Sequence, residues 1–161
     1  MLLCRSVMQP WASFLIHALK THETRSWTPK HRGPLLIHAS RRLPFSVREL
    51  CASHPHLATA LGCLKVTRPD DLPRGAIIGT VNITDVLPTE SLTTLTPMER
   101  ALGDYSPGRY AWLCTNPRIC TPIATGGRLG FFACPEAAIA QVRESFPDLA
   151  ELLPVPEKRS A

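Results

Sequence analysis

The sequence predicts an α+β domain, a small mixed β-barrel of five to six strands with flanking short helices. Three observations lead there. The strand-like segments are short, and the clearest of them alternates apolar and polar side chains, as a strand with one buried face does. The helical patterns gather near the start and the end, so the chain does not read as regular βαβ units. A length of 161 residues, with 44% hydrophobic and 19% charged residues, suits one domain with a real core. Periodicity by itself does not separate such a barrel from an open α+β sheet. Residues 1–153 are expected to form the domain and residues 154–161 a short, charged, Pro-containing tail that frays.

In chain order, Gln9 to Leu19 opens the fold as a helix, because Trp11, Phe14, Leu15 and Ala18 recur on one helical face and Pro10 suits a first turn. Thr24 to Trp27 reads as a short strand, Pro29 to Gly33 as a basic turn, and Pro34 to Ala39 as an apolar strand. Ser46-Val47-Arg48-Glu49 has the form of a capping box opening a short helix toward Cys51, and a second helical piece runs from His56 to Leu61 with Gly62 near its end. Pro73-Arg74-Gly75 turns the chain into a strand from Ala76 to Val86. There Ile77, Val81 and Ile83 are assigned to one face, Thr80, Asn82 and Thr84 to the other, and Gly79 permits a bulge. The polar stretch from Pro88 to Pro107 reads as a loop with a helical turn at Pro97 to Leu102. Strands follow at Tyr110–Thr115, Ile119–Ala124 and Leu129–Cys134, with Asn116-Pro117 as a turn, and Pro135 to Phe146 closes as a helix on Ile139, Val142 and Phe146.

No apolar run approaches the length of a membrane span, and Met1 to Pro10 lacks the pattern of a signal peptide, so a cytoplasmic protein without membrane contact is expected. The six cysteines include no C-x-x-C pair, which argues against a zinc ribbon, and reduced buried thiols are expected. His54-Pro55-His56 is the one close histidine pair and has no acid or cysteine at metal spacing. No cofactor and no metal are indicated, although the sequence does not speak against a divalent ion.

The net charge is +5, and it is unevenly placed. Met1 to Arg48 holds eight Lys or Arg against the single acid Glu23, whereas the remainder holds ten bases and twelve acids. Fourteen of the eighteen bases are Arg, whose planar fork suits phosphate and whose flat face stacks on bases. A basic half of this kind points to a polyanionic partner.

The densest chemical cluster lies between Gln9 and Ser40. Lys20 follows the first helix, and Glu23 and Arg25, two apart in a strand, share a face while Thr24 points away. Such a trio can bind phosphate through Arg25 and transfer a proton through Lys20 or Glu23; it would equally serve as an ion-pair network pinning the helix to the sheet. Trp11 and Trp27 flank it and could each stack a base, with Trp11 alternatively in the core, where Tyr110 and Trp112 are also expected. Lys30-His31-Arg32 and Arg41-Arg42 lie at turns where they could meet phosphates. His38 follows a strand leading out of the core, where it either reaches the cleft or sits as a buried, hydrogen-bonded ring.

Lys20-x-x-Glu23-x-Arg25 resembles the G-x-K-x-x-E-x-R signature of ASCH domains. Gln9-Pro10-Trp11-Ala12-Ser13, Arg25-Ser26-Trp27, Arg32-Gly33-Pro34-Leu35, Leu72 to Gly79, Tyr110-Ala111-Trp112 and Asn116-Pro117 are also similar, so the resemblance runs from about Cys4 to Gly130. Ala18 stands at the family's leading glycine; its methyl is compatible with a turn of negative φ and would slightly narrow the cleft mouth.

The resemblance implies a PUA-like barrel with a cleft between the first helix and the sheet, lined by the signature residues. It also implies a function among those linked to the family: RNA binding, DNA binding, ribonuclease activity, or removal of acyl groups from modified cytidines. The amidohydrolase branch looks like K-x-x-T-x-R with Thr as nucleophile, and here Glu23 occupies that position. The leading expectation is a nucleic-acid-binding domain, for RNA with DNA as the alternative, using Gln9, Trp11, Ser13, Lys20, Arg25, Trp27, Lys30, Arg32, Arg41 and Arg42. The second is a hydrolase acting on RNA or on a nucleoside such as an N4-acylcytidine, with Lys20, Glu23 and Arg25 catalytic. The third is a protein-interaction domain of a transcription coactivator type. Oligomeric state is not legible in the sequence.

Overall fold

In the computed structural model, which describes residues 1–155, six strands form one curled, half-barrel sheet in the order β2-β5-β4-β3-β1-β6. The strands are β1 (Leu3–Val7), β2 (His22–Arg25), β3 (Gly33–Ala39), β4 (Ala76–Pro88), β5 (Tyr110–Ala124) and β6 (Phe131–Ala133). The helices are α1 (Trp11–Ile16), α2 (Phe45–Ser53), α3 (Pro55–Cys63), α4 (Pro97–Ala101) and α5 (Ile139–Ser145). All sheet neighbours are antiparallel except β1 and β3. The architecture is the expected α+β, PUA-like one. No helix among the described residues is long and apolar enough to cross a membrane.

The sheet is covered on both sides. On its concave side α1 places Ala12, Leu15 and Ile16 against Ile37, Val81 and Trp112. On its convex side α5 brings Val142, with Phe146 just beyond, onto Cys4, Leu36 and Ile123. A third cluster joins Phe14 of α1 to Val47 and Cys51 of α2 and to Leu57 and Leu61 of α3. All six cysteines are free thiols.

β4 and β5 pair over nearly their whole length, and three register shifts bend the ribbon enough to curl the sheet. One shift falls between Ile77 and Gly79, where an added Cβ would collide with the Arg118 carbonyl, so only glycine permits this closeness of strands. The same shift separates Ile77, which packs on the convex side, from Ile78, Val81 and Ile83 on the concave side. Ile77 is therefore on the opposite face from the one simple alternation assigns.

Several boundaries differ from expectation for identifiable reasons. α1 ends at Ile16 rather than Leu19, because the chain turns left-handed at Ala18. β2 runs from His22 to Arg25, earlier than Thr24–Trp27, since β5 offers it partners only there. Ser46 does not cap α2: the helix starts after Pro44 and no side chain caps it. Asn116-Pro117 is not a turn between two strands but a bulge within one. Thr115 pairs Asn82 and Arg118 pairs Thr80, so both residues oppose Val81 alone, with Asn116 at a φ of 48°. The closing helix is a 3-10 turn, Glu136–Ala138, followed by α5. β1 has no counterpart in the sequence reading. Of the expected tail, Pro154 and Val155 are described and exposed, and residues 156–161 lie outside the described part.

Candidate functional site

The path from α1 into β2 builds the site. After Ile16 the chain reverses through Ala18, whose φ is 58°, and the amides of Leu19 and Lys20 both donate to the Phe14 carbonyl at 2.9 and 3.2 Å. The turn is thus left-handed, contrary to the negative φ on which alanine's fit rested; Ala18 is exposed and stands outside the cleft lining, so it does not narrow the mouth. The reversal delivers Lys20, 3% exposed, to the head of a cleft of about 360 Å³ between α1, β2 and the Ala101–Asp104 segment. β2 then pairs Glu23 with Trp112 and Arg25 with Tyr110, which puts both charged side chains on the cleft face.

The trio converges on the carboxylate. Arg25 donates from Nε to Glu23 Oε1 at 2.7 Å and approaches the same oxygen with Nη2 at 2.6 Å. Lys20 Nζ stands 3.8 Å from Glu23 Oε2. Two cations therefore share one buried anion. Thr24, expected to point away, also lines the cleft: its Oγ1 accepts from the amide of Asp104, another lining residue, at 3.1 Å. The thiol of Cys114, behind Glu23, is pushed up to about 12 by burial first and the Glu23 charge second, so it stays protonated at neutral pH.

Two further residues adjoin this site, outside the cleft lining itself, and escaped the sequence reading. Arg5 of β1 shares its strand face with Val7, which lines the cleft. It is 9% exposed, its Nε has no hydrogen-bond partner among the described residues, and its guanidinium lies 5.8 Å from the Trp27 ring centroid. Burial and then the nearby charge of Arg25 lower its proton affinity, against an opposing pull from Glu23, so Arg5 stands within the trio's field. Glu99 of α4 is the other. Its carboxylate accepts from the Thr21 amide at 3.0 and 3.1 Å, from the His22 amide at 3.1 Å and from the Tyr105 hydroxyl at 3.0 Å. Burial alone would raise the Glu99 carboxyl, but hydrogen bonds from His22, Thr21 and Tyr105 outweigh it and hold the group below the usual carboxylate range. Glu99 thereby fastens the segment that carries Lys20. The signal for it was Thr96-Pro97-Met98-Glu99, a capping box in which the Glu99 amide donates to Thr96 Oγ1 at 3.1 Å.

The remaining predicted residues scatter. Gln9 is fully buried; its amide nitrogen donates to Ser13 Oγ and the Pro73 carbonyl, and its oxygen accepts from the Ser13 amide. Gln9 and Ser13 therefore brace α1 from inside and present nothing to a ligand. Trp11 is half-buried between two core clusters and also lines the cleft. Trp27 stacks edge-on against Trp112 and Phe131 while staying 37% exposed, and the buried indole of Trp112 donates to its carbonyl. Lys30 is exposed, and Arg32 turns back onto the carbonyls of Pro29 and His31. Arg41 and Arg42 are exposed in a different groove, described below. His38 is buried and hydrogen-bonded, and it does not line the cleft.

Comparison with known proteins adds an independent line. The family model described as ASCH domain matches residues 6–124. Activating signal cointegrator 1 from Homo sapiens and from Mus musculus are each 34% identical over 117 residues, 71% of this chain but 19% of the relative. The chain thus spans about a fifth of the length of these curated relatives. Among solved structures, ASCH from Zymomonas mobilis matches with a TM-score of 0.52 at 12% identity, covering 88% of this chain and 93% of that one. A point variant of the same protein matches with a TM-score of 0.51. At that identity the likeness speaks for the fold.

Proposed function

This chain belongs to the ASCH domain family, and from that premise we propose that it is a nucleic-acid-binding domain, with RNA as the favoured partner, whose cleft grips a phosphate. The observation that carries this reading is a buried cation beside the cleft. Lys20 and Arg25 line the cleft with Glu23 and Asp104, the latter paired to Arg109, and Arg5 stands next to them with its Nε buried and without a hydrogen-bond partner among the described residues. A buried guanidinium nitrogen left without a hydrogen bond is costly, and a bound phosphodiester would supply one and relieve it. Trp27, partly exposed beside Arg5, offers a base a stacking surface. DNA would satisfy the same charges and is the alternative partner.

Hydrolysis of RNA or of an acylated nucleoside is the less favoured use of the cleft. Both Glu23 oxygens already face Arg25 and Lys20, which suits a clamp better than a proton shuttle. Neither a cofactor nor a divalent ion is needed for the clamp. The test is incubation of the protein with labelled single-stranded RNA and with an N4-acylcytidine nucleoside, with and without divalent metal, beside Lys20→Ala. Intact substrates are expected, with RNA retention that falls steeply with salt and weakens about tenfold in the variant, on the order of 1.4 kcal/mol. Product formed by the wild type and not by Lys20→Ala would make the domain an enzyme. Absence of both binding and product would leave a protein-interaction domain.

A further inference from the structure

On the opposite face of β1 and β3 from the cleft runs a second, wider groove of about 640 Å³. Alternation along β1 sends Arg5 and Val7 to the cleft side and Ser6 to this one, where it lies beside its sheet partner His38. Above them, Arg41 and Arg42 come from the segment after β3, and Arg128 comes from the loop between β5 and β6.

The floor of the groove is neutral and internally satisfied. His38 donates from Nε2 to the Thr125 carbonyl at 3.0 Å, which leaves Nδ1 bare to accept the Ser6 hydroxyl at 3.0 Å. Burial, against the Thr125 hydrogen bond and with the Arg41 charge, lowers the affinity of His38 for a second proton. The walls are the reverse. Arg41, Arg42 and Arg128 are all exposed, no carboxylate lines the groove, and none of the three makes an ion pair among the described residues.

Two glycines shape the walls. Gly127 lies so close to the floor that a Cβ there would come within 2.6 Å of the His38 ring, and this closeness brings Arg128 over the groove. Gly75, at a φ of 65°, leaves room for the Arg41 stem, which a Cβ would meet at 2.7 Å. Arg74 holds the Arg41 carbonyl at 3.1 Å, so the arginine backbone is fixed while its guanidinium stays free of hydrogen bonds among the described residues.

We propose that this groove is a second anion-binding site, which takes the phosphodiester backbone of a single-stranded RNA independently of the cleft. Its charges stand on two walls of an open channel, an arrangement that fits an extended polyanion better than one compact phosphate. Leu129, 99% exposed beside Arg128, offers an apolar contact to a splayed base. One wall, Gly126 to Leu129, lies just beyond the stretch matched by the family model, whereas Ser6, His38, Arg41 and Arg42 lie within it. The inference builds on the nucleic-acid reading, and the two sites fail separately in the following experiment.

Binding of labelled single-stranded RNA is measured against salt for the wild type, for Arg41→Ala/Arg42→Ala/Arg128→Ala, and for the cleft double variant Lys20→Ala/Arg25→Ala. A single Arg128→Glu variant checks the groove without three simultaneous changes, and thermal unfolding verifies that each protein is folded. The triple variant is expected to lower the slope of log K against log salt by about 2, from three phosphates at ~0.7 each, and Arg128→Glu to weaken binding at least about tenfold at low salt. An unchanged slope in folded triple variant, with Arg128→Glu binding like wild type, overturns the groove. If only the cleft variant binds weakly, the cleft reading stands and this one falls; if only the groove variants do, the reverse holds. Anionic lipid vesicles and inorganic phosphate serve as competing probes. Vesicle retention lost in the triple variant while RNA binding persists, or phosphate binding there without RNA binding, overturns the assignment to nucleic acid.

Discussion

The cleft and the outer groove are both cationic, and they are built in opposite ways. In the cleft, carboxylates set the geometry: Glu23 sits between Lys20 and Arg25, and Glu99 anchors the amides just after Lys20. In the groove no carboxylate is present among the described residues, and there the arginines make no ion pair above a neutral floor. Acidic partners reduce net attraction for a polyanion but hold long side chains in one arrangement, which suits selection of a ligand's shape. Unpaired arginines on a surface do little for orientation and much for long-range attraction. A cationic site is thus better judged by what its cations already touch than by how many it has.

The difference can be broken most forcefully at Glu99. Replacing it with Ala leaves the Thr21 and His22 amides and the Tyr105 hydroxyl without their acceptor, a loss on the order of 3 kcal/mol. The melting temperature is expected to fall by roughly 6–12 °C, whereas the groove arginines, whose guanidinium groups have no ion-pair partner among the described residues, should each change stability by no more than about 0.5 kcal/mol. Thermal unfolding of both variants decides the matter; equal melting curves would erase the distinction. The same residue sets an acid limb. Its folded carboxyl titrates below the ordinary value of 4.5, so its stabilisation is present above about that pH and is lost as pH falls through the lower, folded value. Glu99→Gln is expected to flatten the fall in stability below pH 4.5, as read by denaturant titration across pH.

Arg5→Met sharpens the contrast at the next scale. Removing a buried, unpartnered cation is expected to leave stability unchanged or raise it by up to about 1 kcal/mol, yet to weaken RNA binding about tenfold. Loss of stability with unchanged binding would make Arg5 a structural residue. The smallest expected effect is at the entrance to the cleft segment. Ala18→Gly relieves a left-handed alanine and should raise stability by about 1 kcal/mol, or roughly 2–4 °C in melting temperature. It should leave the salt slope of binding alone, because Ala18 lies outside both lining sets.

What the sequence disclosed follows from how locally each feature is determined. β4 was legible because most of its residues obey a two-residue period, and only Ile77 and Ile78, before the irregularity at Gly79, escaped it. Lys20, Glu23 and Arg25 were legible because six residues of chain hold all three. β1 was not, because it is buried on both faces: Cys4 packs on the convex side and Leu3 and Val7 on the concave side, so no alternation shows, and Arg5 looked like a surface charge. Glu99 acts on residues nearly 80 positions away, a separation that no local pattern encodes. Gln9 and Ser13 carried the right chemistry for a ligand, but they answer each other instead. Arg41-Arg42 was read as part of one basic surface, yet the curl of the sheet sends it to the far side of β1.

The position of β1 also bears on how the domain assembles. Its neighbours in the sheet are β3 and β6, and its pairing of Arg5 with Phe131 joins residues more than 120 positions apart. Closing a loop of that size is entropically unfavourable until most of the intervening chain is already structured. The cleft can form its Lys20–Glu23–Arg25 network from nearby chain, but the wall that carries Arg5 on one side and Ser6 on the other is completed only when β6 arrives. β1 reaches β3 across a far shorter loop, Leu3 to Leu35, so it is the seam between β1 and β6 that is expected to order last, completing the wall between cleft and groove.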